Sequence, residues 1–194
     1  MRICALDLSK RSAGWAVWGP SDSKLASGAF VLGSEFTSKG STYCKLHAEL
    51  TGLNQVGRID AIYWEDTIDA RSLSGHTNIE TLKVLGGLVA HAESWGEVMG
   101  CRVLRSVNQL TWRREFLGSI PRPKLKDKFG NRTGERPIDW KALAMERCQQ
   151  LGFKTKTHDE AEAIGILDFA CADQGIIPPW RENEVLRPAL GIIR

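Results

Sequence analysis

The run Ile3-Cys4-Ala5-Leu6-Asp7-Leu8 sets one aspartate inside an otherwise apolar stretch that reads as a buried strand. A carboxylate buried in a strand is costly unless it is paired or holds a cation. Two foldings satisfy that constraint. Either the strand stops at Asp7 and the side chain bonds to the Ser9-Lys10-Arg11 turn, or compensating groups arrive from distant parts of the chain. The next segments show what is available. Gly14 to Trp18 reads as a second strand, Gly19-Pro20-Ser21-Asp22 as a turn, and Lys24 to Leu32 as a third strand. Strands joined by such short links form an antiparallel meander.

Beyond the meander the periodicity changes. Leu46, Leu50 and Leu53 recur at helical spacing and predict a helix over Tyr43 to Val56. Arg58 to Trp64 is rich in β-branched and aromatic residues and predicts a strand ending at Glu65. Leu82, Leu85, Leu88 and Val89 form one stripe of a long helix from Asn78 to Met99, with Gly100 placed to end it. Cys101 to Leu104 predicts a further strand. A short helix capped by Ser106 or Asn108 then runs to Leu117, and helices are predicted over Ile138 to Leu151 and Thr157 to Asp173. A meander followed by alternating helices and strands implies an α/β domain. Its sheet is five-stranded and mixed, the meander plus two parallel strands, with helices on both faces.

A chain of 194 residues has room for one such domain, spanning 1–174, with a tail at 175–194 that reads as an arm or disordered. Residues 118–137 hold many Pro, Gly, Lys and Arg and almost nothing apolar, and are expected to form a mobile basic loop. Net charge is only +3, but basic residues outnumber acids between Arg102 and Lys156, which suits a phosphate backbone. Five cysteines without a CxxC pair predict reduced thiols, not a disulfide framework or a zinc site. With no apolar signal region and no bilayer-length apolar run, the expected location is the cytoplasm.

Four acids stand out as catalytic and metal-binding candidates. Asp7 interrupts the first strand, and Glu65 ends the fourth. Because side chains alternate along a strand, Glu65 and Asp66 face opposite ways; Glu65 is assigned to the face of Asp7 and Asp66 is the reserve. In Thr157-His158-Asp159-Glu160-Ala161-Glu162, Thr157 and Glu160 fit a capping box, so Glu160 needs no other role. Asp159 and Glu162 lie three apart on one helix face, where two acids repel and call for a compensating cation. Asp168 is expected to face away and be solvated. Carboxylates from two strands and a helix are hard oxygen donors suited to Mg²⁺ or Mn²⁺, and two such ions could activate water against a phosphodiester.

These segments resemble the RuvC family of Holliday-junction resolvases, within the RNase H-like superfamily. Ile3-Cys4-Ala5-Leu6-Asp7-Leu8-Ser9 is similar to that family's first metal-binding motif. Ile59-Asp60-Ala61-Ile62-Tyr63-Trp64-Glu65 is similar to the second, and His158-Asp159-Glu160-Ala161-Glu162-Ala163 to the closing motif. The likeness covers about Met1 to Asp173. It implies an RNase H-like nuclease domain with Asp7, Glu65, Asp159 and Glu162 as ligands of two Mg²⁺ or Mn²⁺ ions, Glu162 replacing a more usual aspartate. It also implies cleavage of branched or junction DNA by a homodimer, with no nucleotide cofactor. Lys141 falls where the family often carries a basic residue near the scissile phosphate. Ile68 stands where many members place an aromatic wedge, and residues 118–137 look like an insertion.

For contacts to DNA phosphates the candidates are Arg113, Arg114, Arg122, Lys124, Lys126, Lys128 and Lys141. His158 is an auxiliary candidate with a side chain that titrates near neutrality, although it also suits the turn that starts the last helix. His76 and His91 are spaced for neither a zinc pair nor a triad. Trp15, Trp18, Trp64, Trp95 and Trp112 read as core; Trp140 and Trp180 read as the more exposed rings. The rival readings are a ribonuclease of RNase H type, a less selective phage-type nuclease, and a nucleic-acid-binding module without catalysis. An actin-like or sugar-kinase-like ATPase is disfavoured, because the glycine-rich phosphate loops are missing.

Overall fold

The computed structural model describes residues 1–66, 79–118, 120, 124–126, 129, 132–135 and 138–182. Strands β1 (Ile3–Leu8), β2 (Ser12–Trp18) and β3 (Ala26–Val31) form the expected meander. Helix α1 (Lys39–Val56) and β4 (Ala61–Glu65) follow, then helix α2 (Ile79–Met99) and β5 (Val103–Val107). The sheet runs β3-β2-β1-β4-β5, antiparallel across the first three strands, with β4 parallel to β1 and β5 parallel to β4. This is the five-stranded mixed sheet expected from the sequence.

Alternation along the strands divides the core into two layers. Ile3, Ala5, Ala16, Trp18, Ala61 and Tyr63 face helices α3 (Gln109–Leu117), α4 (Trp140–Gln150) and α5 (His158–Asp173). Cys4, Leu6, Val17, Ile62 and Trp64 face α1 and α2 instead. The parity therefore puts Asp7, Gly14 and Glu65 on the α5 side. Helix α5 is the central helix of that layer, packed on the sheet from below and on α3 and α4 from above. Several of its buried positions are small, with Ala161, Ala163, Gly165 and Ala170 allowing close approach alongside Ile164, Ile166 and Leu167. At Gly165 an added Cβ would meet the Trp112 ring at 2.6 Å, so only glycine lets that indole settle on the helix.

Local signals account for most boundaries. Ser38, Asn108, Asp139 and Thr157 each cap a helix by accepting a backbone N–H in the first turn. Gly100 follows α2 at a φ of 69°, the left-handed conformation anticipated for it. All five cysteines are free. Burial pushes the Cys4, Cys148 and Cys171 thiols up to about 12, so they behave as small apolar groups. Among the described residues, no helix is long and apolar enough to cross a membrane.

Three expectations need correction. The basic loop contains a hairpin, with β6 (Lys124–Lys126) antiparallel to β7 (Arg132–Glu135). A two-stranded ribbon needs no apolar content to satisfy its backbone, so composition gave no sign of it. The segment after Gly175 does not leave the domain at once. A 3-10 turn at Pro179–Arg181 packs back, and the Trp180 ring meets Trp18 edge-on at 5.1 Å and Phe153 at 5.4 Å. Finally, Asp168 is only 1% exposed and is not solvated. It accepts hydrogen bonds from Arg181 Nε at 2.7 Å and Trp180 Nε1 at 3.0 Å, and a further one from Arg181 Nη2. Asp168 does face away from Asp159, but that side of α5 is covered as well. Residues 183–194 of the expected tail lie outside the described residues.

Candidate active site

Strand register places the first two carboxylates. Leu6 pairs with Trp64 in the parallel β1–β4 ladder, and extending that register by one residue sets Asp7 beside Glu65. On the other flank Asp7 pairs with Gly14 of β2. Gly14 is where α5 touches the sheet: an added Cβ there would lie 1.9 Å from the Asp159 carbonyl oxygen. The absence of a side chain at Gly14 thus lets the first turn of α5 descend next to Asp7. The Ser12 hydroxyl, also on β2, donates to Asp159 Oδ2. Asp7, Glu65, Asp159 and Glu162 are brought together in this way from β1, β4 and α5.

Their convergence is visible in the electrostatics. The Asp7 carboxyl is held well above the usual carboxylate range, by burial first and then by the negative charges of Glu162, Glu65 and Asp159. Lys141, exposed in the first turn of α4, pulls the other way by the smallest amount. Burial also raises Glu65, against hydrogen bonds and the nearby Arg113 charge that favour its ionised form. Trp112 Nε1 donates to Glu65 Oε2 at 2.9 Å and Gln109 Nε2 donates to Oε1 at 2.6 Å. Asp66 is exposed, with its backbone N–H bound to the Val107 carbonyl.

Glu162 has a partner that the sequence did not reveal. Arg113 Nη2 donates to Glu162 Oε1 at 2.7 Å, with the two side chains 9% and 5% exposed. The guanidinium carbon lies 5.3 Å from the centroids of both Trp112 and Trp140. Arg113 was expected to grip DNA phosphates; it is instead buried beneath the carboxylates. The cation required by the Asp159/Glu162 pair is, at Glu162, an arginine. Trp140 is accordingly half-buried and not an open ring.

Other candidates fall farther out. Arg114 is exposed on α3, and Lys141 is exposed beside the carboxylates. Lys124 and Lys126 lie on β6. Arg122, Lys128, Ile68 and His76 lie outside the described residues. His158 is exposed at the start of α5, in a shallow groove with Ala142, Met145, Gln149 and Phe153. His91 faces His47 across α1 and α2, with Nδ1 and Nε2 3.0 Å apart. Sequence reasoning missed Ser12, Gln109 and the polar roles of Trp112 and Arg113. The signal was the Gln109-x-x-Trp112-Arg113 spacing, which puts all three near one face of a helix following the acid-bearing strand.

A divalent ion is supported by the chemistry of the donors. The oxygens are hard, and the charges of Glu162, Glu65 and Asp159 add to desolvation in raising Asp7, a repulsion that a cation would relieve. Among the described residues, however, no three His, Cys, Asp or Glu side chains form a ready-made ion cage. Glu65 is engaged by Trp112 and Gln109, Asp159 by Ser12 and Glu162 by Arg113.

No family model and no curated protein matches this sequence. Solved structures do match. Thermus thermophilus RuvC in complex with a Holliday junction substrate overlays with a TM-score of 0.61, at 14% identity, over 90% of this chain and 96% of that one. This chain has the RuvC fold. A second Thermus thermophilus RuvC structure overlays with a TM-score of 0.60, at 13% identity, over 90% and 97% of the two chains. The match therefore spans nearly the whole of each RuvC chain.

Proposed function

We propose that this protein is a divalent-metal-dependent endonuclease that hydrolyses phosphodiester bonds in branched DNA, with four-way junctions as its preferred substrate. One observation carries the reading: a half-buried Asp7 whose carboxyl is raised by desolvation and then by the charges of Glu162, Glu65 and Asp159, in a RuvC fold. Asp7, Glu65 and Asp159 would hold Mg²⁺ or Mn²⁺, with Glu162 at the edge of the set. A bound ion of this kind supplies Lewis acidity and a nucleophilic water at neutral pH. The protein's own residues then have definable tasks. Trp112 and Gln109 fix the Glu65 carboxylate, Ser12 fixes Asp159, and exposed Lys141 offers a positive charge for a phosphate beside Asp7. Arg114 and the β6–β7 hairpin are the candidates for holding the flanking backbone.

Junction preference is supported by the resemblance of the motifs and by the overlaid RuvC whose structure contains a Holliday junction substrate. A homodimer belongs to the same proposal, since a four-way junction resolved symmetrically takes two related cuts. The test compares Mg²⁺-dependent cleavage of a labelled four-way junction, a flap, linear duplex and an RNA–DNA hybrid. Selective junction cleavage that is lost in Asp7→Asn supports the proposal. Equal cutting of linear duplex refutes the junction preference, and preferential cutting of the hybrid points to the ribonuclease reading. The buried Arg113–Glu162 pair favours a second reading, a binding module without catalysis. In that case wild type and Asp7→Asn bind junctions alike and neither cuts.

A further inference from the structure

We propose that the groove between α4 and the start of α5 receives one unstacked nucleobase of the DNA strand lying on the carboxylates, and so confers a base preference beside the cut. The inference rests on the branched-DNA reading above and specifies how that site holds its substrate. The groove encloses about 540 Å³, a size usual for clefts that take small ligands. Its place in the chain ties it to the carboxylates. His158 on one wall immediately precedes Asp159, and Ala142 on the other immediately follows Lys141, the exposed cation offered to a phosphate. Adjacent residues are only about 3.8 Å apart at Cα, so a strand that meets Asp159 and Lys141 has its next base within reach of the groove.

The lining suits a base better than a phosphate. Ala142, Met145 and Phe153 supply apolar surface, with one aromatic ring and one polarizable thioether among them. Phe153 is half-buried, and its ring meets Trp180 at 5.4 Å with the planes 74° apart, so it is held in place before any ligand arrives. A base stacked on a ring that is already fixed adds contact without ordering the side chain. The Gln149 amide and the Thr155 hydroxyl make no hydrogen bond among the described residues and are open to a base edge. The single acid of the lining, Glu146, would repel a phosphate but can accept from an exocyclic amine. Lys154 on the rim and Lys141 beside Ala142 are both exposed and suit the sugar-phosphate backbone on either side of that base.

The experiment uses the full-length protein and four-way junctions carrying 2-aminopurine at each position around the branch point in turn, in EDTA so that no strand is cut. Gel shift reads binding, and a rise in 2-aminopurine fluorescence reads unstacking. Wild type is expected to raise the fluorescence several-fold at one position per strand, and junctions differing only in that base should differ in affinity. Ala142→Phe, at an exposed helix position, fills the groove and should abolish the rise. Phe153→Leu keeps an apolar side chain against Trp180 but removes the stacking face, and should weaken junction binding by roughly fivefold. The Ala142→Phe result decides the matter even if Phe153→Leu does not fold. Wild type that binds the junction with no rise at any position overturns the proposal and leaves the nuclease reading standing, as does an undiminished rise in Ala142→Phe. Equal affinities for all four bases overturn the base preference. A change of oligomeric state in Ala142→Phe on ultracentrifugation, with the rise retained, makes the groove a contact between copies and also overturns it. No junction binding by wild type would instead remove the branched-DNA reading itself.

Discussion

Gly14→Ala isolates the contact that brings the last helix down onto the first strands. The new Cβ would lie 1.9 Å from the Asp159 carbonyl oxygen, 2.2 Å from its carbonyl carbon and 2.9 Å from the Glu160 nitrogen. All three are backbone atoms, so no rotamer change relieves the overlap. Ordinary Cβ contacts begin near 3.4 Å, and the difference from 1.9 Å means that the start of α5 must retreat by about 1.5 Å. Inserting one methyl into a packed site usually costs about 1–3 kcal/mol, and the upper part of that range is expected because backbone must move. The functional loss should be larger than the stability loss suggests. Asp159 would be carried away from Asp7, and a displacement near 1 Å at a reacting centre can cost roughly 10²-fold in rate. The assay pairs urea unfolding, read by tryptophan fluorescence, with Mg²⁺-dependent cleavage of a labelled junction. If Gly14→Ala unfolds within about 0.5 kcal/mol of wild type and cleaves within about twofold, the descent of α5 at Gly14 is not what assembles the site.

Three further predictions follow from side-chain environments. Asp7 and Glu65 bind protons more tightly folded than unfolded, so the metal-free protein should lose stability as pH rises from the ordinary carboxylate range through their raised values. Asp7→Asn should flatten that slope in pH-dependent thermal melts, and an unchanged slope would contradict the environment assigned to the half-buried Asp7. Arg181→Ala leaves Asp168 buried without its guanidinium and should cost about 3–5 kcal/mol in urea unfolding, far more than loss of an exposed arginine. Trp112→Phe keeps most of the ring on Gly165 but deletes the donor to Glu65. Junction cleavage should fall by roughly tenfold with the fold retained, as judged by circular dichroism, and wild-type rates would show that the Glu65 hydrogen bond is dispensable.

Much of the fold was legible because its signals are local. The meander is marked by short polar links, α1 and α2 by leucine spacing, and helix starts by Asn108, Asp139 and Thr157. Strand parity also puts Glu65, and not the exposed Asp66, on the Asp7 side of the sheet, since it needs only the two-residue repeat of a strand. What the sequence concealed depends on pairs remote from one another. The Arg113 partner of Glu162 comes from a separate helix, and nothing about an arginine in a basic stretch marks it as buried. Asp168 looked solvated for a related reason: which faces of a helix are covered is set by its neighbours, here including the turn at Pro179–Arg181. The hairpin at β6–β7 was hidden because its composition is that of a loop. Several acidic candidates were recognisable from an apolar context, but the serine, glutamine and indole that hold them were not. Such polar donors are common everywhere on a chain.

The Ser12–Asp159 contact joins residues 147 positions apart, and α5, which completes the carboxylate set, is the last α-helix among the described residues. During synthesis the aspartate of the first strand must wait until α5 has emerged before it meets its companions. A shortened product ending before α5 would carry an uncovered apolar sheet face and half a set of acids. It would be sticky, and with only Asp7 and Glu65 in place the proposed nuclease activity is expected to be absent from unfinished copies.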